Sequence, residues 1–186
     1  LDRGLAEGAR RLVADRGSGF EADLAHTESH GCLPEADPAV VSARARERGR
    51  RQLGSIGAGN HFIELQQVDE VLDRATAEVL GLSPQQITLL IHTGSRGLGH
   101  QVCTDFVKLM TSRLAHFGFE LPDPQLSCAP ASSSEGQAYL RAMAAAANYA
   151  WANRQLITHR VRDIVRRMFS GTASGNVRVV YDVSHN

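Results

Sequence analysis

Three of the eight histidines in this chain lie in its least ordinary stretches. His61 sits in Gly57-Ala-Gly-Asn-His-Phe-Ile-Glu64, His92 in Ile91-His-Thr-Gly-Ser-Arg-Gly-Leu-Gly99, and His185 in Tyr181-Asp-Val-Ser-His-Asn186. Each stands where an apolar, strand-like run meets a turn rich in Gly, Ser or Asn. Asn60 and Asn186 adjoin two of them, and Thr-Gly-Ser-Arg96 follows the third. Neutral imidazole is the commonest metal ligand. Asn, Ser and Arg side chains and unpaired backbone N–H groups are what a phosphate needs. Together these residue types point to metal-assisted phosphoryl chemistry.

The surrounding turns narrow that chemistry. Gly54-Ser-Ile-Gly57-Ala-Gly59 has glycines in the wrong order for a dinucleotide loop. It also has a helix before it and a strand after it, the reverse of a Rossmann turn. The turn after His92 contains no Gly-Lys-Ser/Thr, so it is not a Walker loop. Arg96 in that turn can still hold a phosphate through two parallel N–H groups. The three histidines are too far apart in sequence to form a local H-x-x-x-H helix. They converge only if the strands that carry them are neighbours.

The elements that must do this positioning alternate along the chain. Residues 1–16 read as an amphipathic helix on Leu1, Leu5, Ala9 and Leu12, and 17–36 as loop. Asp37-Pro38 is a helix start leading into the basic run Ala43–Arg51. His61–Val68 alternates as a strand, Asp69–Leu80 reads as a helix ending at Gly81, and Ile87–Ile91 is a short apolar strand delivering His92. Gly99–His116 suits a helix with Val102, Phe106, Leu109 or Met110, and Leu114 on one face. One long helix is expected from Glu135 to about Phe169, and Val177–Val183 is a β-branched strand delivering His185. The expected class is α/β or α+β, with a mixed sheet flanked by helices.

Bulk properties set the frame. At 186 residues the chain can bury one substantial core, and 42% apolar with 22% charged residues is ordinary for a globular protein. No apolar run is long enough to span a bilayer. The formal net charge is zero, so nucleic-acid contact has to come from local clusters. Cys32, Cys103 and Cys128 show no C-x-x-C spacing, which speaks against a disulfide framework or zinc ribbon and for a reducing cytoplasm. The chain opens on Leu1 and stops directly after His185-Asn186, and is expected to be part of a longer protein.

Inside the long helix, Asn148, Trp151 and Gln155 share a face, and amides buried there need partners, with neighbouring backbone the simplest source. Arg154, Arg160, Arg162, Arg166 and Arg167 form a basic stretch that suits either a solvated face or an RNA backbone.

Four blocks carry a family resemblance: Gln52–Glu64, Ile91–His100, Asn148–Gln155 and Tyr181–Asn186. In order and in detail they resemble the signature blocks of the RtcB family, the GTP-dependent tRNA-splicing RNA ligases. The resemblance runs over nearly the whole chain and is strongest from residue 40 onward. It implies an RtcB-like fold, incomplete here, with residues 1–186 as the central part of a single catalytic domain. It implies joining of RNA ends bearing a 3′-phosphate or 2′,3′-cyclic phosphate to 5′-hydroxyl ends, in tRNA splicing or RNA repair, with GTP and two Mn2+ ions. His61, His92 and His185 match metal-binding histidines, and Asn60 and Asn186 match asparagines near the GMP phosphate. Phe62 and Glu64 lie in the block that helps hold the guanine nucleotide, and Arg96 is a candidate for the RNA phosphate. The histidine that carries GMP is expected downstream of this segment, and Asp and Cys ligands upstream, so these residues alone are expected to be inactive. Imidazole ligands by themselves favour Zn2+ over Mn2+ in affinity, so ligand type does not select manganese. The rival expectations are an inert metal- or nucleotide-binding paralogue and a metal-dependent phosphoesterase.

Overall fold

The computed structural model describes residues 1–169 and 177–184. Among them are six α-helices and two β-strands: α1 (Asp2–Arg16), α2 (Glu21–Ala25), α3 (Ala43–Arg50), β1 (Phe62–Gln67), α4 (Arg74–Leu80), β2 (Ile87–His92), α5 (Arg96–Phe117) and α6 (Ser134–Met168). His185 and Asn186 lie outside the described residues.

The organising element is α6, 35 residues long and capped by Ser133, whose Oγ accepts the Gly136 N–H at 3.0 Å. Its alanines are the reason it can sit centrally. Ala142, Ala144, Ala145 and Ala152 are buried and bring neighbouring backbones close. Leu5 of α1 packs into the main core with Leu98, Val102, Phe106 and Met110 of α5 and Tyr149 of α6. Ala9, Leu24 and Trp151 form a second, smaller cluster. The helical spacing read in α1 and α5 thus corresponds to real buried faces. Gly8 interrupts α1 with φ 58°, and a Cβ there would overlap the Gly31 carbonyl, so the break admits the turn Glu28–Gly31.

Several expectations need correction. The sheet is not mixed: β1 and β2 are antiparallel, in the register Phe62↔His92 to Gln67↔Ile87. A parallel crossover needs a helix laid on the sheet, whereas α4 buries no residue. Nor are the strands buried, since every residue of β1 is exposed and Leu65 is 71% so. Residues 177–184 form no strand. They make one isolated parallel bridge, Thr27 with Asp182, closed by Glu28 N–H to Asp182 O (2.8 Å) and Asp182 N–H to His26 O (2.9 Å). β-branched propensity made the segment extended, but loop 26–28, not a strand, is its partner.

Boundaries also moved for local reasons. Segment 17–36, read as loop, contains α2 and the turn Glu28–Gly31. Asp37 caps only the short turn Pro38–Val40, and Ser42 then caps α3 afresh by accepting the Ala45 N–H at 3.1 Å. α4 starts at Arg74, not Asp69, because the Asp73 carboxylate takes the Ala75 and Thr76 N–H groups. α5 starts at Arg96, three residues before the expected Gly99. No helix is long and apolar enough to cross a membrane among the described residues, and all three cysteines are free.

One buried ion pair ties the C-terminal half of α6 to α2. The Arg162 guanidinium donates to both oxygens of Asp23, at 2.6 and 2.7 Å, with Gln155 Nε2 and the Phe20 N–H adding further bonds. Arg162 also lies 4.9 Å above the centre of the Phe20 ring. Burial works against the Asp23 carboxylate, but the Arg162, Phe20 and Gln155 donors outweigh it and hold its pKa below the ordinary value. A depressed carboxyl pKa contributes stability that is complete above about pH 4 and is lost as pH falls through the folded value. Asp23→Ala leaves a buried guanidinium unpaired and should cost about 3–5 kcal/mol in urea denaturation at neutral pH. In melts carried toward acid, the variant should lose the part of the decline below about pH 4 that Asp23 contributes.

Candidate functional site

Antiparallel pairing is what assembles the site. It sets the start of β1 beside the end of β2, so His61, just before β1, meets His92, the last residue of β2. Their ring centroids are 6.1 Å apart. Phe62 pairs with His92 in register, and the two rings stack at 5.2 Å with an 8° interplanar angle. Paired residues share a sheet face. Glu64, two residues along β1, therefore lies on the His92 side, where its carboxylate accepts Gln66 Nε2 at 2.9 Å.

The His61 ring is oriented by its own loop. Nδ1 lies 3.0 Å from the Ala58 carbonyl. A carbonyl only accepts, so Nδ1 carries a hydrogen, which in the neutral ring places the lone pair on Nε2. A carbonyl fixing the tautomer in this way is the usual support for a metal-binding imidazole. Imidazole–zinc bonds run to about 2.0–2.1 Å, and a centroid separation of 6.1 Å leaves room for one ion between the two rings without selecting which. Among the described residues no group of three or more His, Cys, Asp or Glu side chains is placed to hold a metal.

The loop from Gln52 to Asn60 is pinned from below by buried side chains. Asn153, fully buried on α6, accepts the Gly54 and Ser55 N–H groups at 2.6 and 3.1 Å and donates to the carbonyls of Ser55 and Gly94 at 3.0 and 3.2 Å. Thr93, 1% exposed, donates its hydroxyl to the Ile56 carbonyl at 2.6 Å. Gln52 Oε1 accepts the Gly97 N–H at 2.8 Å. The loop before His61 and the turn after His92 are thus one bonded unit.

Arg96 opens α5 with φ 54° and donates Nε to Ser55 Oγ at 3.2 Å. Its guanidinium lies against Gly57, whose φ of 118° and missing Cβ leave the room it occupies. Arg96 is therefore built into the loop and is not a free side chain in a turn. Asn60 is exposed at the loop tip. Of the residues singled out from sequence, His61, Phe62 and His92 come together, Glu64 lies along the same face, and Arg96 braces the loop from the α5 side.

The basic stretch of α6 is mostly structural. Arg154 and Arg162 are buried in ion pairs, and Arg160 donates to the Gly54 carbonyl at 2.5 Å. Asn148 does what a buried amide was expected to do, bonding Leu5, Ala6 and Leu33 backbone at 2.7–3.1 Å. Sequence reading passed over Asn153, and it placed Arg154 on a solvated or RNA-facing basic stretch although the side chain is buried. It sought one polar face, while α6 is buried around its whole circumference from Tyr149 to Gln155, so periodicity selects none. Burial pushes the Asp182 carboxyl upward, against the pull of Arg154. It likewise raises the Tyr149 hydroxyl, which donates to the Gly49 carbonyl at 2.7 Å. The Ser184 hydroxyl and N–H hold Glu28 below its usual range.

Comparison with known proteins bears on what this arrangement is for. The family model described as tRNA-splicing ligase RtcB matches residues 1–186. A tRNA-splicing ligase RtcB of Methanocaldococcus jannaschii is 51% identical over 187 residues, covering all of this chain and 19% of that protein. One from Methanococcus maripaludis is 49% identical, covering all of this chain and 39% of its own length. The RNA-splicing ligase RtcB of Mycobacterium tuberculosis is 48% identical over 96% of this chain and 40% of its own. The chain thus spans between about a fifth and two-fifths of the length of these relatives.

Asn153→Ala leaves two N–H groups, that of Gly54 buried and that of Ser55 partly so, and two carbonyls without their partner at once. At about 1–3 kcal/mol for each unsatisfied group, destabilisation of about 3 kcal/mol or more is expected in urea denaturation. An Asn153→Ala protein as stable as the parent would show that the clamp contributes nothing.

Proposed function

Because the chain belongs to the RtcB family, we propose that it forms one wall of a Mn2+-dependent RNA-ligase site, completed in a polypeptide of its relatives' length. The reaction we propose for the whole protein joins RNA 3′-phosphate or 2′,3′-cyclic phosphate ends to 5′-hydroxyl ends in tRNA splicing or RNA repair, through GTP and a guanylylated histidine. That histidine is one not contained in this segment. The observation that carries the reading is the convergence of His61 and His92 at the same end of the β1–β2 pair.

His61 and His92 would hold the metal, joined by His185. Bound Mn2+ supplies charge neutralisation at the transferring phosphoryl group. The chain's own residues do the rest. His61 presents Nε2 because the Ala58 carbonyl fixes its tautomer. Phe62 stacks on His92 and limits its ring rotation. Arg96, with Nε held by Ser55 and its guanidinium against Gly57, would offer its terminal nitrogens to an RNA phosphate. Asn60 and Asn186 would donate to the GMP phosphate, and Glu64 with Phe62 would help position the nucleotide.

This reading makes two measurable claims. In a polypeptide of the relatives' length, His61→Ala should abolish Mn2+-dependent labelling by radioactive GTP, and normal labelling would remove His61 from the metal site. The 186-residue chain should bind Mn2+ but take no covalent GMP. Labelling of this chain alone would place the nucleophile within it, contrary to the proposal. Hydrolysis of a 2′,3′-cyclic phosphate without any joining would instead favour a phosphoesterase.

A further inference from the structure

Arg154 sits at a place the proposed reaction does not use. Its side chain is 7% exposed, and two of its nitrogens are committed. Nε donates to Asp182 Oδ1 at 2.6 Å, and Nη1 donates to the Thr93 carbonyl at 3.0 Å. Thr93 directly follows His92, and Asp182 stands three residues before His185. The segment around Asp182 is held from its other side as well. It bridges to residues 26–28, and Glu28 accepts both the N–H (2.7 Å) and the hydroxyl of Ser184.

The third nitrogen, Nη2, is buried and has no hydrogen-bond partner among the described residues. Arg154, Gly94, Ser95, Trp151 and Ser184 share the lining of one cavity of about 390 Å3. A buried guanidinium with an unused donor works against stability. Generic packing would be better served by an apolar side chain of similar volume, so what this guanidinium provides is the geometry of its two bonds. A planar fork fixes two acceptors at a set distance and angle, which a lysine ammonium cannot do.

We infer that Arg154 is a positioning residue for the histidine site, setting the spacing between the backbone that carries His92 and the segment that leads to His185. This rests on the metal reading proposed above. Arg154 touches neither metal nor substrate. It acts through the Thr93 carbonyl on the end of β2, and through Asp182 on residues 182–184. Partners one step behind metal ligands typically change metal affinity 10–100-fold when replaced.

The test uses the 186-residue chain with Arg154→Lys, Arg154→Gln and Asp182→Asn. Three measurements are made: Mn2+ affinity by calorimetry, the thermal midpoint, and histidine ring 15N–1H NMR signals of the metal-free protein. For Arg154→Lys we expect a cooperative melt, a 10–100-fold loss of Mn2+ affinity, and displaced His92 signals with His116 unmoved. Asp182→Asn keeps an acceptor but loses its charge, so a smaller change in the same direction is expected. If a lysine variant does not fold, the glutamine and asparagine variants carry the same comparison. Unchanged His92 signals together with unchanged Mn2+ affinity in a folded variant overturn the proposal. So does an affinity loss no greater than the unfolded fraction explains. If the parent chain binds no Mn2+, the metal reading fails separately. The ring signals of the metal-free variants then decide the positioning role: displaced, it stands; unmoved, it falls.

Discussion

The side-chain amide of Asn153 is the contact on which the rest of the site depends. One carboxamide, fully buried on α6, accepts from Gly54 and Ser55 and donates to Ser55 and Gly94. Two segments distant in sequence therefore share a single rigid partner. Without it, loop 52–60 and the turn after β2 would each have to find their place by weaker contacts. With it, the antiparallel pairing of β1 and β2 is anchored at the end where His61 and His92 meet. A side chain whose hydrogen-bonding groups are all satisfied in a low-dielectric interior specifies geometry in a way an apolar contact does not.

This arrangement divides the labour along α6. Alanines at 142, 144, 145 and 152 let neighbouring backbones approach. Polar residues of the same helix then fix where those backbones sit. Asn148 holds the break in α1 and residue 33, Asn153 holds the glycine-rich loop, Arg154 holds the β2 turn, and Arg162 holds α2. At 1.5 Å per residue, the contacts from Asn148 to Arg162 extend over about 21 Å of one rod. The hydrophobic core alone would permit sliding of helix on helix. These polar contacts do not, because each is bonded to a particular backbone atom.

Much of this was legible in the residues. Periodicity located α1 and α5 with the right buried faces, helical composition located α6 without selecting a face, and strand signals located β1 and β2. The glycine-flanked histidines pointed to the neighbourhood where His61 and His92 converge. What failed did so for physical reasons. Alternation of strand and helix suggested parallel crossovers, but a seven-residue α4 with no buried side chain cannot cover a sheet. The β-branched run Val177–Val183 had the propensity of a strand but no strand to pair with, so loop 26–28 took its one bridge. Arg96 read as a phosphate clamp, and in the fold its side chain braces Ser55 and Gly57. Asn153 escaped notice, and Arg154 was read as a solvated or RNA-facing cation, because a helix buried on all sides has no polar face to set them apart. His185 and Asn186 fall outside the described residues, and their place in the site rests on the resemblance.

A glycine-rich loop is usually expected to be the first part of a protein to open. Here the Gly54 and Ser55 amides point inward to an oxygen that belongs to the central helix. Their protons can exchange with solvent only when the loop parts from the Asn153 side chain. In hydrogen–deuterium exchange they should therefore follow the slow kinetics of the core, while the neighbouring exposed residues Gly59 and Asn60 exchange as a surface turn does. The segment before His61 belongs energetically to the interior, although its composition is that of a loop.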